Sequence, residues 1–357
     1  MHNRRIAAVT AAMALAALLA ACSTSNQTSS PTKSAGETTA GAQGTVAKPQ
    51  TKKAPLTIGY VPITMNTQYS MTQYGMQEEI DRLGGTAFAT LDVQAPTSND
   101  TSLQQQPNIL ENLITKGVDA IVLSTEDEKA LLPYIERAEK AGIAVFLTNM
   151  AETDPTDLYF VSNVGYSQYD ASYDIGKWTV DHFKSSDARI AVLEGYPGLL
   201  NDQRVKGLHD AIKDSPNLSI VASESADWTR AKGQEVTENI LTAHPDINMV
   251  YGLYDEMALG AVTAIKSAGL LNKIIVAGYD NTADGNAAIK AGELTVTVDT
   301  GSKQVGVEII KAINAFLIQG QPVKHDILVA PKVYDTANVG TFNTNNFVYV
   351  PQKPAGK

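Results

Sequence analysis

A single cysteine, Cys22, stands in 357 residues, so no intramolecular disulfide can form and no cysteine-rich metal site exists. Histidine is almost as scarce. His2, His182, His209, His244 and His325 are scattered, and none is paired at metal-ligand spacing. His244, before Pro245 at an expected helix end, is accounted for by capping a terminal carbonyl. Basic residues are outnumbered, 28 Lys and Arg against 38 Asp and Glu, for a formal net charge of -10. That balance argues against a nucleic-acid partner, which needs a basic face. No G-x-S-x-G elbow, P-loop or G-x-G-x-x-G after a strand occurs, and Gly195-Tyr196-Pro197-Gly198 reads only as a turn. An enzyme should show a nucleophile, a base, a metal set or a phosphate cradle. Without them, no catalysis, cofactor or metal is expected.

What is present is a soluble α/β composition, 43% hydrophobic and only 18% charged, with a mean hydropathy of -0.12. The length suits about two domains. At the N-terminus, Arg4 and Arg5 precede an apolar run from Ile6 to Leu18, too short for a comfortable membrane span. Leu19-Ala20-Ala21-Cys22 then resembles a bacterial lipobox. The expectation is a lipoprotein signal peptide over 1–21, with Cys22 diacylated after cleavage and holding the protein at a membrane face. Residues 22–54 are mostly Ser, Thr, Gln, Gly, Lys and Pro, and read as a disordered tether.

From Pro55 on, strands and helices alternate. Apolar runs at Leu56–Val61, Ala87–Val93, Ala120–Leu123 and Ile143–Leu147 read as strands. Between them lie helical patterns at 71–83, 104–115 and 129–141, closed by Gly84, Gly117 and Gly142. A similar series restarts after Tyr159–Ser162 and runs through strands near 189–193, 219–222, 247–251, 274–278 and 294–299. Asp255 is expected to cap the helix after Tyr251. A helix over 303–319 and an extended segment over 327–334 end the pattern. Alternation of this kind predicts parallel, doubly wound sheets with helices on both faces. Ligands of such sheets sit beyond the carboxyl ends of the strands. The polar and aromatic residues there are Asn66, Tyr69, Asn149, Asn201, Arg204, Trp228, Tyr254, Asp280 and Thr300. Carboxylate and amide oxygens accept from hydroxyls, a guanidinium donates in a fork, and rings cover apolar faces, a mix suited to a neutral polyhydroxylated molecule.

The words DEMALGA and GYDNTADG resemble the second half of a type I periplasmic binding protein. The likeness is to the ribose- and galactose-binding cluster, which also includes ligand domains of lactose-repressor-type regulators. The resemblance covers nearly all of 56–335. It implies two Rossmann-like doubly wound parallel-sheet lobes joined by a three-segment hinge, with crossings near Ser162, Thr300 and Ala330. The first lobe would hold 55–162 plus 301–330 and the second 163–300 plus 331–350. Asp280 matches the aspartate that accepts from two sugar hydroxyls, with a loop cap as its plain alternative. Arg204 in NDQRVKGLHDAI matches an arginine of an R-x-x-G pattern, against a surface salt bridge. Trp228 in SADWTRAKG stands at a stacking position, against simple packing, and Tyr69 fits a second aromatic position or the core equally. Trp178 reads as packing.

The sequence also departs from the ribose-type pattern. Asn149 and Met150 replace an aspartate and an arginine, Tyr254 an asparagine, Thr300 a glutamine, and Ile63 and Thr67 replace polar residues. A galactose-type calcium loop is not evident. The resemblance implies a monomeric, lipid-anchored substrate-binding protein of a carbohydrate ABC importer. It would capture a sugar or polyol and deliver it to a permease with its ATPase, outside the cytoplasm. The alternative on the same fold is a sensory protein presenting a sugar or furanosyl quorum-sensing signal to a receptor. The sharpest expectation is that Arg204 and Asp280 face one another across the mouth between the lobes.

Overall fold

The computed structural model describes residues 51–150 and 159–355. The expected signal peptide, the lipidated Cys22 and the tether as far as residue 50 lie outside the described residues. The tether's expected end at 54 is too late. The Lys52 amide already donates to the Leu317 carbonyl at 2.7 Å, and its ammonium pairs with Asp119 at 3.1 Å.

Strands and helices alternate through β1 (Leu56–Val61), α1 (Thr67–Leu83), β2 (Ala89–Val93), α2 (Ser102–Lys116), β3 (Ala120–Leu123), α3 (Glu128–Lys140), β4 (Ala144–Thr148) and β5 (Ser162–Gly165). They continue with α4 (Gln168–His182), β6 (Ala188–Glu194), α5 (Leu199–Ile212), β7 (Leu218–Ser225), α6 (Arg230–Ala243), β8 (Met249–Gly252), α7 (Asp255–Ser267) and β9 (Ile275–Ala277). The last elements are α8 (Ala283–Lys290), β10 (Val296–Asp299), α9 (Ser302–Ile313), β11 (Asp326–Leu328) and β12 (Lys332–Asp335). Two six-stranded sheets result, ordered β11-β5-β4-β3-β1-β2 and β12-β10-β9-β8-β6-β7. Every pairing is parallel except β10 with β12. The central strands are wholly buried runs such as Ala120–Leu123 and Met249–Gly252, as helices on both faces require.

The chain passes between the sheets after β5, between β10 and α9, and between β11 and β12. The first crossing falls after Gly165, not near Ser162, because Ser162–Gly165 is itself a strand of the first sheet. Its Ser and Asn hide that from a hydrophobicity reading, although both side chains are fully buried. The extended run expected over 327–334 is two strands, one in each sheet. Helix α1 starts at Thr67, four residues earlier than its apolar period suggests, because Asn66 caps it by accepting from the Tyr69 amide at 3.0 Å. Helix α8, rich in Ala, Gly, Asn and Asp, carries no apolar period that would mark it in the sequence.

Helix α9 crosses into the first lobe and packs on α1 at backbone contact. A Cβ at Gly75 would fall 1.8 Å from the Lys303 carbonyl oxygen. The C-terminal residues return with it. Val339 and Phe342 are still buried, Val339 in the second lobe's core and Phe342 edge-on to Tyr334 at 5.3 Å. Beyond them the chain runs along α1. Lys303, only 8% exposed, donates to the carbonyls of Asn345 (2.7 Å) and Val348 (2.9 Å) and pairs with Glu78 at 2.6 Å. The Val350 amide also reaches Glu78, Tyr349 bonds Asp81, and the Ala355 amide donates to the Arg82 carbonyl. Residues 343–350, expected on the second lobe, therefore lie on the first, held by a buried ammonium that needs their carbonyls.

Candidate functional site

A cavity of about 40 Å³, open to solvent at its mouth, lies between the lobes. The first lobe lines it with Ile63, Asn66, Gln68, Tyr69, Asn99 and Glu126, and the second with Leu200, Arg204, Trp228, Tyr254 and Asp280. Leu200 is buried in the hydrophobic cluster of the first lobe, so the two bodies touch beside the cavity.

Arg204 anchors the second-lobe wall. Its Nε donates to Gln168 Oε1 at 2.8 Å, one terminal nitrogen to the Leu253 carbonyl and the other to the Tyr166 hydroxyl at 3.0 Å. The guanidinium lies 4.0 Å from the centre of the Tyr279 ring and 5.1 Å from that of Trp228, both cation–π distances. Burial opposes its charge, but Tyr166, Tyr279 and Asp280 outweigh that and raise its pKa. Asp280 is 3% exposed and takes a hydrogen bond from the Thr300 hydroxyl at 3.1 Å. Burial pushes its carboxyl up, while Arg204 and the bonds from Thr300 and Tyr166 pull it back.

Arg204 and Asp280 do not face one another across the mouth. Both belong to the second lobe, Arg204 on α5 and Asp280 in the loop after β9, and both adjoin Tyr166 on one wall. What faces them from the first lobe is Tyr69, Gln68, Asn66 and Glu126.

Asn66 and Tyr69 line the cavity, Tyr69 from the first turn of α1 rather than from a loop. Tyr69 also packs into the first lobe's core and shares a hydrogen bond with Ser124 at 3.0 Å. Trp228 and Tyr254 line it as well. The Trp228 ring lies so flat on Gly195 that a Cβ there would fall 1.9 Å from it. Three expected residues are absent from the lining. Asn201 pins the loop after β6, accepting from the Gly195 amide at 2.9 Å and donating to Glu194 at 2.6 Å. Thr300 serves Asp280. Asn149 is 2% exposed with both side-chain polar atoms unpaired, and its carbonyl accepts from Gln168.

The residues missed are Gln68, Asn99, Glu126 and Leu200, together with Tyr166, Gln168 and Tyr279 behind Arg204. Glu126 follows β3 by three residues, so the strand-end rule applied to that strand would have found it. Among the described residues, the only non-glycine positive φ values belong to Asn149 (54°), Asp227 (52°), Trp228 (58°), Asp280 (92°) and Asn281 (50°). All five follow sheet strands β4, β7 or β9. Strained backbone of this kind clusters at working sites.

A second buried carboxylate supports the wall without lining it. Asp255 was expected as the cap of α7, but Tyr254 holds that place. Asp255 accepts from the Thr282 amide (2.6 Å), the Thr282 hydroxyl (3.0 Å) and the Thr297 hydroxyl (2.8 Å). It thereby ties the start of α7 to β10 and to the loop that carries Asp280. No group of three or more His, Cys, Asp or Glu able to hold a metal occurs among the described residues.

Residues 58–322 match the profile of the periplasmic binding protein domain. The chain belongs to that family. It is similar to the ribose import binding protein RbsB of Bacillus subtilis, 33% identical over 287 residues, which are 79% of this chain and 88% of the relative. Among solved structures it resembles a periplasmic solute binding protein of an ABC transporter from Actinobacillus succinogenes with bound D-allose. That match has a TM-score of 0.73 and 31% identity, over 80% of this chain and all of the other. A solute binding protein from Bacillus halodurans with bound myo-inositol follows at TM-score 0.71 and 25% identity, over 81% and 98%. The two sheets are thus the two lobes of a type I periplasmic binding protein, and the chain is a binding protein rather than an enzyme.

Proposed function

We propose that this chain is the substrate-binding component of an ABC importer, capturing a sugar or polyol between its lobes and delivering it to the permease. The observation that carries the reading is the cavity. Hydroxyl acceptors and aromatic faces converge there from both lobes, with an arginine held rigidly by three protein acceptors. A molecule that touches both lobes favours their closure, because some of its contacts exist only when they meet. The names of the relatives support the same ligand class and the same transporter partner.

The test is a thermal-melt panel of pentoses, hexoses and polyols, including D-ribose, D-allose, D-galactose and myo-inositol. A ligand present at about 100 times its Kd stabilises by about 2.7 kcal/mol. For a protein of this size that is a rise of roughly 4 °C in Tm. A panel in which no compound moves Tm defeats the proposal.

We further propose that the chain is held at the outer face of a membrane through diacylated Cys22, as a monomer. The basic segment, the short apolar run and LAAC support it. Cys22→Ser is expected to move the protein from the membrane fraction to the soluble one, and a variant still in the membrane fraction rules the anchor out.

A further inference from the structure

Resting on that reading, we propose that Glu126 is the first lobe's specificity-determining residue and restricts the site to neutral, hydroxyl-donating ligands. Glu126 lines the cavity from the loop after β3, while Asp280 lines it from the opposite lobe. Its side chain is half-buried, and it makes no hydrogen bond or ion pair with any described residue. Burial pushes its pKa up, with Arg204 the only cation acting against that. Arg204 is already engaged by three protein acceptors and sits beside Asp280. The other ionisable neighbours that sense Glu126 are the phenols of Tyr69 and Tyr196. The cavity therefore carries two carboxylates against one guanidinium, and the second carboxylate has no donor of its own.

When the lobes part, water satisfies that carboxylate. When they close empty, it gives up part of that water and gains no donor, which is costly for a charged acceptor. A ligand hydroxyl in its place removes the penalty, so Glu126 would couple occupancy to closure as well as choose the occupant. A ligand carboxylate or phosphate would meet like charge from both walls. The occupant assigned is thus a sugar or polyol with donors at both ends.

The experiment is calorimetry on wild type, Glu126→Gln and Asp280→Ala, with D-ribose, D-allose, D-galactose, myo-inositol, D-galacturonate and D-galactosamine as probes. Wild type is expected to bind at least one neutral probe more tightly than either charged one. Glu126→Gln is expected to bind that probe about tenfold or more weakly. Its Tm without ligand should stay within a few degrees of wild type, separating lost recognition from lost folding. A loss smaller than about tenfold in Glu126→Gln, with binding abolished in Asp280→Ala, overturns the role of Glu126 and leaves the carbohydrate reading standing. Tightest binding of D-galacturonate or D-galactosamine overturns the neutral-ligand assignment. Binding of no probe by wild type overturns the carbohydrate reading and this proposal with it.

Discussion

Asp280→Ala should lose measurable ligand binding while the empty protein melts no earlier than wild type. In the proposed complex, Asp280 accepts from ligand hydroxyls inside a closed cavity, and bonds to a charged acceptor are worth about 1.5–3 kcal/mol each. Two such bonds correspond to roughly a 10²-fold or larger loss of affinity. The empty protein responds oppositely because the carboxyl is desolvated and its pKa is raised. Asp280→Asn should therefore leave its Tm unchanged or higher, the usual trade between a strained functional group and stability. Arg204→Ala should instead damage both properties. It strands the buried Leu253 carbonyl, at about 1–3 kcal/mol, takes one of two donors from Gln168 Oε1, and removes the positive charge that offsets the desolvation of Asp280. Titration calorimetry and thermal melts on the three variants separate the effects. Affinity within threefold of wild type in Asp280→Ala would remove it from the site.

The second large effect belongs to a residue outside the cavity. Asp255→Ala leaves the Thr282 amide and two threonine hydroxyls without their acceptor, and each buried unsatisfied group costs about 1–3 kcal/mol. A loss of about 3 kcal/mol or more in chemical denaturation is expected, with weaker ligand binding because the Asp280 loop loses its tie. Its pH dependence has a definite sign. Burial pushes the Asp255 carboxyl up to about 7, against the donation from Thr297 and Thr282. The unfolded chain has it near 4. Between those values the folded state binds the extra proton, so this group's contribution to stability falls as pH rises from about 4 to about 7 and is level above that. Asp255→Asn, which cannot titrate, should lack that part of the slope. Identical slopes in the two proteins would show that Asp255 does not titrate in this window.

How much of this was legible in the sequence depends on whether local pattern or tertiary surroundings decide the outcome. Asp280 could be picked out because it follows the apolar run of a buried strand, whereas Arg204 and Trp228 stood out through the family-like words NDQRVKGLHDAI and SADWTRAKG. The strand-end rule also chose Thr300, just past β10, and Asn201, in the first turn of α5, but they spend their polar atoms on Asp280 and on the Gly195 loop. Position along a strand says where a side chain begins, not which neighbour claims it. Glu126 was passed over because it stands in STEDEK, where acids read as the start of a helix, and Asp127 beside it is indeed the cap of α3, accepting from the Ala130 amide. The division of 327–334 between two sheets, parallel in one and antiparallel in the other, depends on strands far away in the chain. So does the placing of Arg204 and Asp280 on one wall.

The C-terminal stretch changes the mechanics of the molecule. It leaves the second lobe at Phe342 and finishes on α1, and on the way it borders a hollow lined also by Asp299, Gly301, Ala330 and Lys332, which belong to the crossings. The pivot is thus spanned by four backbones instead of three. A fourth span fastened to both bodies adds a tie between them that does not depend on the three crossings.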